Sequence, residues 1–82
     1  MVEPDPQHTV FTRALAAVLE EQMQFLGLGQ RALARESGVT QAQIHHILTG
    51  TVSPRAYTLR RLALGLDLHL SEFIDMVEEE MK

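Results

Sequence analysis

The sequence contains no cysteine. That one absence removes disulfides, thiolate metal ligands and a thiol nucleophile together, and it suits a reducing cytosol. Apolar runs reach only a few residues, far short of the ~20 that a membrane-spanning helix needs. The first six residues, Met-Val-Glu-Pro-Asp-Pro, are acidic and lack an apolar stretch, whereas a secretory signal is basic and then apolar. No window alternates at period two for long enough to form a strand; Leu66–Leu70 comes nearest and is short. Low-complexity tracts are absent, as is any repeat of solenoid length. The chain also lacks an excess of positive charge, with seven Lys and Arg against eleven Asp and Glu and a formal net charge of −4. Taken whole, that balance argues against nucleic acid, because affinity for it comes largely from neutralised phosphates.

What is present is the periodicity of helices. At 82 residues, 45% hydrophobic and 22% charged, the chain suits one small folded domain. Residues 1–8, with Pro4, Pro6, Glu3 and Asp5, read as an N-terminal tail, and residues 9–82 as the domain. Phe11, Ala14, Leu15, Val18, Leu19, Phe25 and Leu26 recur at steps of three and four, predicting a helix over 9–26 capped by Thr9. Further helices are expected over 30–37, over 41–49 capped by Thr40, over 55–66 and over 72–80 capped by Ser71. The expected fold is all-α, with five helices.

Residues 30–49 carry the most specific signal. Two short helices that cross steeply need a small residue where one passes over the other, and Ala34 supplies it. They need a turn residue able to adopt positive φ, which Gly38 is. The wedge between them must be apolar, as Leu33, Val39, Ile44 and Ile47 are. Six matches within twenty positions are a fairly specific helix-turn-helix signal; the alternative is an αα-hairpin that merely packs, since Leu-Ala and Gly-Val pairs occur in many small helical proteins. The outward residues of its second helix, Thr40, Gln41, Gln43, His45, His46 and Thr49, are polar and rich in donors and acceptors. A face that merely meets solvent more often carries Glu and Lys, whereas Gln and His can hydrogen-bond base edges.

The stretch from about Leu26 to Ile74 resembles the Cro/repressor-type (XRE) helix-turn-helix family of phage and bacterial transcriptional regulators. The matching pieces are Leu28-Gly29-Gln30, Leu33-Ala34, Gly38-Val39-Thr40-Gln41, Ile44, Ile47, Gly50, Pro54, Thr58-Leu59, Leu62-Ala63 and Leu66 through Phe73. The resemblance implies a five-helix repressor-like domain whose third helix enters the major groove, as a homodimer on a palindromic operator. It implies base contacts from Gln41, Gln43 and His46, with His45 beside them. Gln30 would grip a phosphate and brace Gln41, Thr40 and Thr49 would touch the backbone, and Arg55 would face the minor groove. Two positions depart from the family. Met23 and Leu48 stand where many members pair a basic with an acidic residue, and losing both partners leaves no orphaned charge. Glu20-Glu21 stands where relatives often carry basic residues.

Partitioned along the chain, the charge reads differently. Residues 30–61 hold five arginines (Arg31, Arg35, Arg55, Arg60, Arg61) against Glu36 alone, a net +4; the remainder sets Arg13 and Lys82 against ten carboxylates, a net −8. A basic segment inside an acidic chain is what a DNA-facing patch would look like. Arg31, Arg35, Arg60 and Arg61 are candidates for phosphate contacts. Adjacent His45 and His46 diverge by about 100° on a helix, and with no cysteine present neither a metal nor a cofactor is expected. Nucleophile elbows and Gly-rich phosphate loops are lacking too, so no enzyme is expected. The apolar residues of the last helix suggest a dimer interface through Phe73, Met76 and Val77; the alternative is that they pack on the first helix around Phe11 and Leu15 and the core consumes them all. The expected function is that of a sequence-specific, double-stranded-DNA-binding repressor in the cytoplasm of a bacterial or phage-infected cell. The alternative is an antitoxin-like module that neutralises a protein partner and represses its own operon.

Overall fold

The computed structural model describes residues 5–82, and five α-helices account for most of them. α1 runs Pro6–Leu26, α2 Gln30–Ser37, α3 Gln41–Leu48, α4 Ala56–Gly65 and α5 Leu70–Glu80. Among the described residues there is no strand. Nor, among those residues, is any helix long and apolar enough to cross a membrane.

α1 starts earlier than its apolar stripe predicts. Asp5 is the N-cap, its carboxylate accepting from Gln7 N at 3.0 Å, and Pro6 takes the first helical position, where its missing N–H costs nothing. Residues 6–8 are therefore helical rather than tail, and residues 1–4 lie outside the described part. Thr9, expected as the cap, sits inside the helix, and its carbonyl accepts from the buried Thr12 hydroxyl. The start of α5 moves in the same sense. The N-cap is His69, whose backbone N–H donates to the Glu72 carboxylate at 2.9 Å, and Ser71 lies within the first turn.

One core gathers residues from all five helices: Leu15 and Leu19 of α1, Leu33 of α2, Ile44 and Ile47 of α3, Leu62 of α4, and Phe73 and Val77 of α5. α1 packs against α3 and α5, while α2 packs against both α3 and α4. Phe73 and Val77 are each at 0% exposure. They cannot form the expected dimer interface, because the protomer's own core consumes them; Met76 is half-buried. Phe25 errs in the opposite direction. It continues the α1 stripe but is 82% exposed, since the stripe runs past the last element able to cover it. Met23 is buried and Leu48 packs against the core, so the apolar replacement of the family's ion pair is accommodated inside.

The α2–α3 turn holds itself together. Gly38 adopts φ +75 as the C-cap of α2, a conformation that a side chain would strain. Beside it, the buried Ser37 hydroxyl donates to Leu33 O at 2.7 Å and accepts from Val39 N at 3.1 Å. From α4, Arg61 Nε donates to Ser37 O at 3.3 Å. That bond satisfies a carbonyl left over at the end of α2 and pins the turn to α4.

Candidate nucleic-acid interface

α3 buries Ile44 and Ile47 and presents the rest of its surface. Gln41, Gln43, His45 and His46 are all exposed. The inner pair sits three residues apart on one stripe, so the polar residues between and beyond are turned away from the core. Leu33 and Val39 are buried and Ala34 is partly buried against the core, as a steep crossing of α2 and α3 requires. The motif residues predicted from sequence thus hold α3 by its apolar side and leave its polar side free.

Hydrogen bonding separates residues that the sequence presents as equivalent. Thr40 caps α3 in a reciprocal capping box with Gln43. Thr40 Oγ1 accepts from Gln43 N at 3.2 Å, while Gln43 Oε1 accepts from Thr40 N at 3.3 Å and from the Thr40 hydroxyl at 3.2 Å. At the other end the Thr49 hydroxyl donates to His46 O. Its proton is then spent, so Thr51 is the donor in the 2.8 Å bond between the two threonine hydroxyls. Both threonines expected to touch the DNA backbone are exposed, but their hydroxyl protons are engaged inside the protein. Gln30 is half-buried and Gln41 exposed. No hydrogen bond joins them among the described residues.

Exposed arginines lie on the helices next to α3 in the chain. Arg31 and Arg35 of α2, Arg55 at the N-cap of α4, and Arg60 are exposed. Arg61 differs: besides capping α2 it donates to the Tyr57 hydroxyl at 3.2 Å and lies 5.3 Å from that ring's centroid. It serves the α2–α4 junction first. The fold also adds a residue that the linear charge count assigned to the acidic remainder. A side chain built on Gly50, just after α3, would lie 3.8 Å from Arg13 Cγ, so Arg13 of α1 stands beside the end of α3. Folding alone brings this residue of α1 next to the end of α3. Within the described residues the one ion pair joins Lys82 to Glu79 at 2.8 Å, so none of these arginines is neutralised by a carboxylate.

Between α3 and the loop before α4 runs a groove of about 480 Å³, bordered by Gln43, His46, Val52, Pro54, Arg55 and Tyr57. Tyr57 is 63% exposed. The rings of His45 and His46 diverge, with centroids 6.3 Å apart and planes at 51°. Among the described residues no cluster of His, Asp or Glu could hold a metal ion. What the face offers chemically is hydrogen-bond donors and acceptors along one short helix, with exposed arginines on α2, at the start of α4 and on α1.

Comparison with known proteins agrees with this geometry. Residues 14–73 match the family model described as helix-turn-helix domain. Among solved structures, an HTH_3 family transcriptional regulator from Vibrio cholerae is 31% identical, with a TM-score of 0.77 over 83% of this chain. The present chain spans only 38% of that protein's length. The wild-type restriction-modification controller protein C.Esp1396I shares the fold, with a TM-score of 0.76 at 20% identity over 85% of this chain and 90% of its own. No curated protein matches the chain.

Proposed function

The chain belongs to the XRE-type helix-turn-helix family, and on that premise we propose that it is a DNA-binding transcriptional regulator that reads a specific duplex sequence through α3. The observation that carries this reading is the division of α3 into a locked apolar side and a free side bearing Gln41, Gln43, His45 and His46. Gln41, at the first helical position and exposed, is the chief base reader; its amide can pair with both adenine groups at once. Arg13, Arg31, Arg35, Arg55 and Arg60 supply the phosphate contacts that fix register without reading sequence. The acidic remainder of the chain suppresses indiscriminate binding. Action as a homodimeric repressor on a palindromic operator in the cytoplasm completes the proposal. Phe73 and Val77 are unavailable for that dimer, and the large apolar residues exposed among the described ones are Val10, Phe25, Leu26, Val52, Tyr57 and Leu64. The protein acts by binding, not by catalysis.

Selection from random duplex DNA with the purified protein tests this directly. The expected result is a single enriched motif with two-fold symmetry. An asymmetric motif would refute the homodimer and keep the reader. Failure to enrich any motif at low salt would overturn the DNA-reading function and favour the antitoxin-like reading, with a protein as the partner.

A further inference from the structure

We propose that Gln43 reads the major groove as a donor-only group, and so prefers guanine or thymine to adenine at the base pair it faces. The inference rests on the DNA-reading function above and specifies part of it. A free glutamine amide offers one oxygen acceptor and an NH2 donor, the pair that matches adenine, whose N7 accepts and N6 donates. In this chain the oxygen is already engaged. Gln43 Oε1 accepts from the backbone N–H of Thr40 at 3.3 Å and from its hydroxyl at 3.2 Å. Chemistry fixes which amide atom lies there: a backbone N–H can only donate, so the atom facing it is the oxygen. Nε2, with its two N–H groups, is what the exposed side chain has left to offer.

A donor-only group discriminates among bases. Guanine presents two acceptors, N7 and O6, and thymine presents O4. Adenine offers one acceptor beside a donor that would oppose the second N–H, and cytosine offers only a donor. For Gln43 to read adenine bidentately the capping box has to open, and α3, an eight-residue helix, loses part of its N-terminal cap. Gln41 carries no such commitment. Two glutamines two positions apart therefore read different edges: Gln41 pairs with adenine, Gln43 with the acceptors of guanine or thymine.

The test is selection from random duplexes with the wild type, Gln43→Ala, Gln43→Glu and Thr40→Val, each first checked for helical content and cooperative melting. Gln43→Ala identifies the base position that Gln43 faces. At that position the wild type is expected to disfavour adenine by roughly fivefold or more, and Gln43→Ala to flatten that position alone. Thr40→Val removes the hydroxyl and loosens the box, shifting the preference toward adenine. Gln43→Glu keeps a capping box but replaces donors by acceptors, so the preference moves to cytosine, whose N4 donates. Should Thr40→Val not fold, the two Gln43 variants still decide the matter. Adenine enriched by the wild type at that position, or a motif unchanged in Gln43→Ala, overturns this proposal and leaves the DNA-reading function standing. No motif from the wild type overturns both.

Discussion

Gly65 ends α4 where it presses on α2, and replacing it with alanine tests the junction that holds the helix-turn-helix in place. A Cβ at this position would lie 2.8 Å from Ser37 Cβ and 3.1 Å from both Ser37 Cα and N, against about 3.5–4.0 Å for a comfortable carbon contact. Ser37 cannot turn aside. Its hydroxyl is bonded to Leu33 O and Val39 N, and its carbonyl receives Arg61 Nε. The backbones of α2 and α4 must therefore separate. Two effects oppose each other here. Alanine favours a helix interior over glycine by about 0.5–1 kcal/mol, and by less at the final residue. Forcing a methyl group into a fitted contact costs about 1–3 kcal/mol. The clash wins, leaving a net loss of roughly 1–2 kcal/mol, and each kcal/mol lowers the melting temperature of a domain this size by about 4–8 °C. Urea titration followed by far-UV circular dichroism measures it. Gly29→Ser is the control: no atom lies within 4 Å of a side chain there and the position caps α2, so stability should hold or rise by a few tenths of a kcal/mol. A Gly65→Ala protein as stable as the wild type would refute the claim that α2 and α4 meet backbone to backbone.

Further outcomes follow from burial, strain and charge. Phe73→Ala should cost about 3–5 kcal/mol, enough to unfold a domain this small, while Phe25→Ala should stay within about 0.5 kcal/mol; equal effects in thermal melts would contradict the burial assigned to these two rings. Asp67 is exposed at φ +60 after α4, so Asp67→Gly should raise stability by roughly 0.5 kcal/mol; a loss in chemical denaturation would mean that no strain is stored there. Arg13→Ala should weaken binding alike on cognate and random duplexes and lower the salt slope by about 0.9. A change confined to one sequence would make Arg13 a base reader instead.

The fold was legible because its helices bury regular stripes and its turn needs particular residues. Leu33, Gly38, Val39, Ile44 and Ile47 each have one physical reason to be where they are, and the structure uses each for that reason. Helix starts were harder to see. Asp5-Pro6 is a cap followed by a proline at the first helical position, a signal hidden in a stretch whose composition reads as tail. His69 caps through its backbone and the carboxylate of Glu72, which no preference for capping side chains would reveal. Periodicity states which residues share a face, not whether anything covers it, so Phe25 and Phe73 looked alike in sequence. The site shows the same division. Exposed polar residues on α3 were readable; the capping box that occupies Gln43 and the folding that brings Arg13 to Gly50 depend on three-dimensional placement.

The central claim is that Gln41 reads a base, and affinity measured on the selected duplex addresses it most directly. Wild type and Gln41→Ala would be titrated in parallel against that duplex and a scrambled one at fixed salt. A lost bidentate contact of about 1–3 kcal/mol weakens cognate binding roughly 5- to 150-fold, with binding to the scrambled duplex unchanged. Equal affinity of the two proteins for the selected duplex would contradict the account.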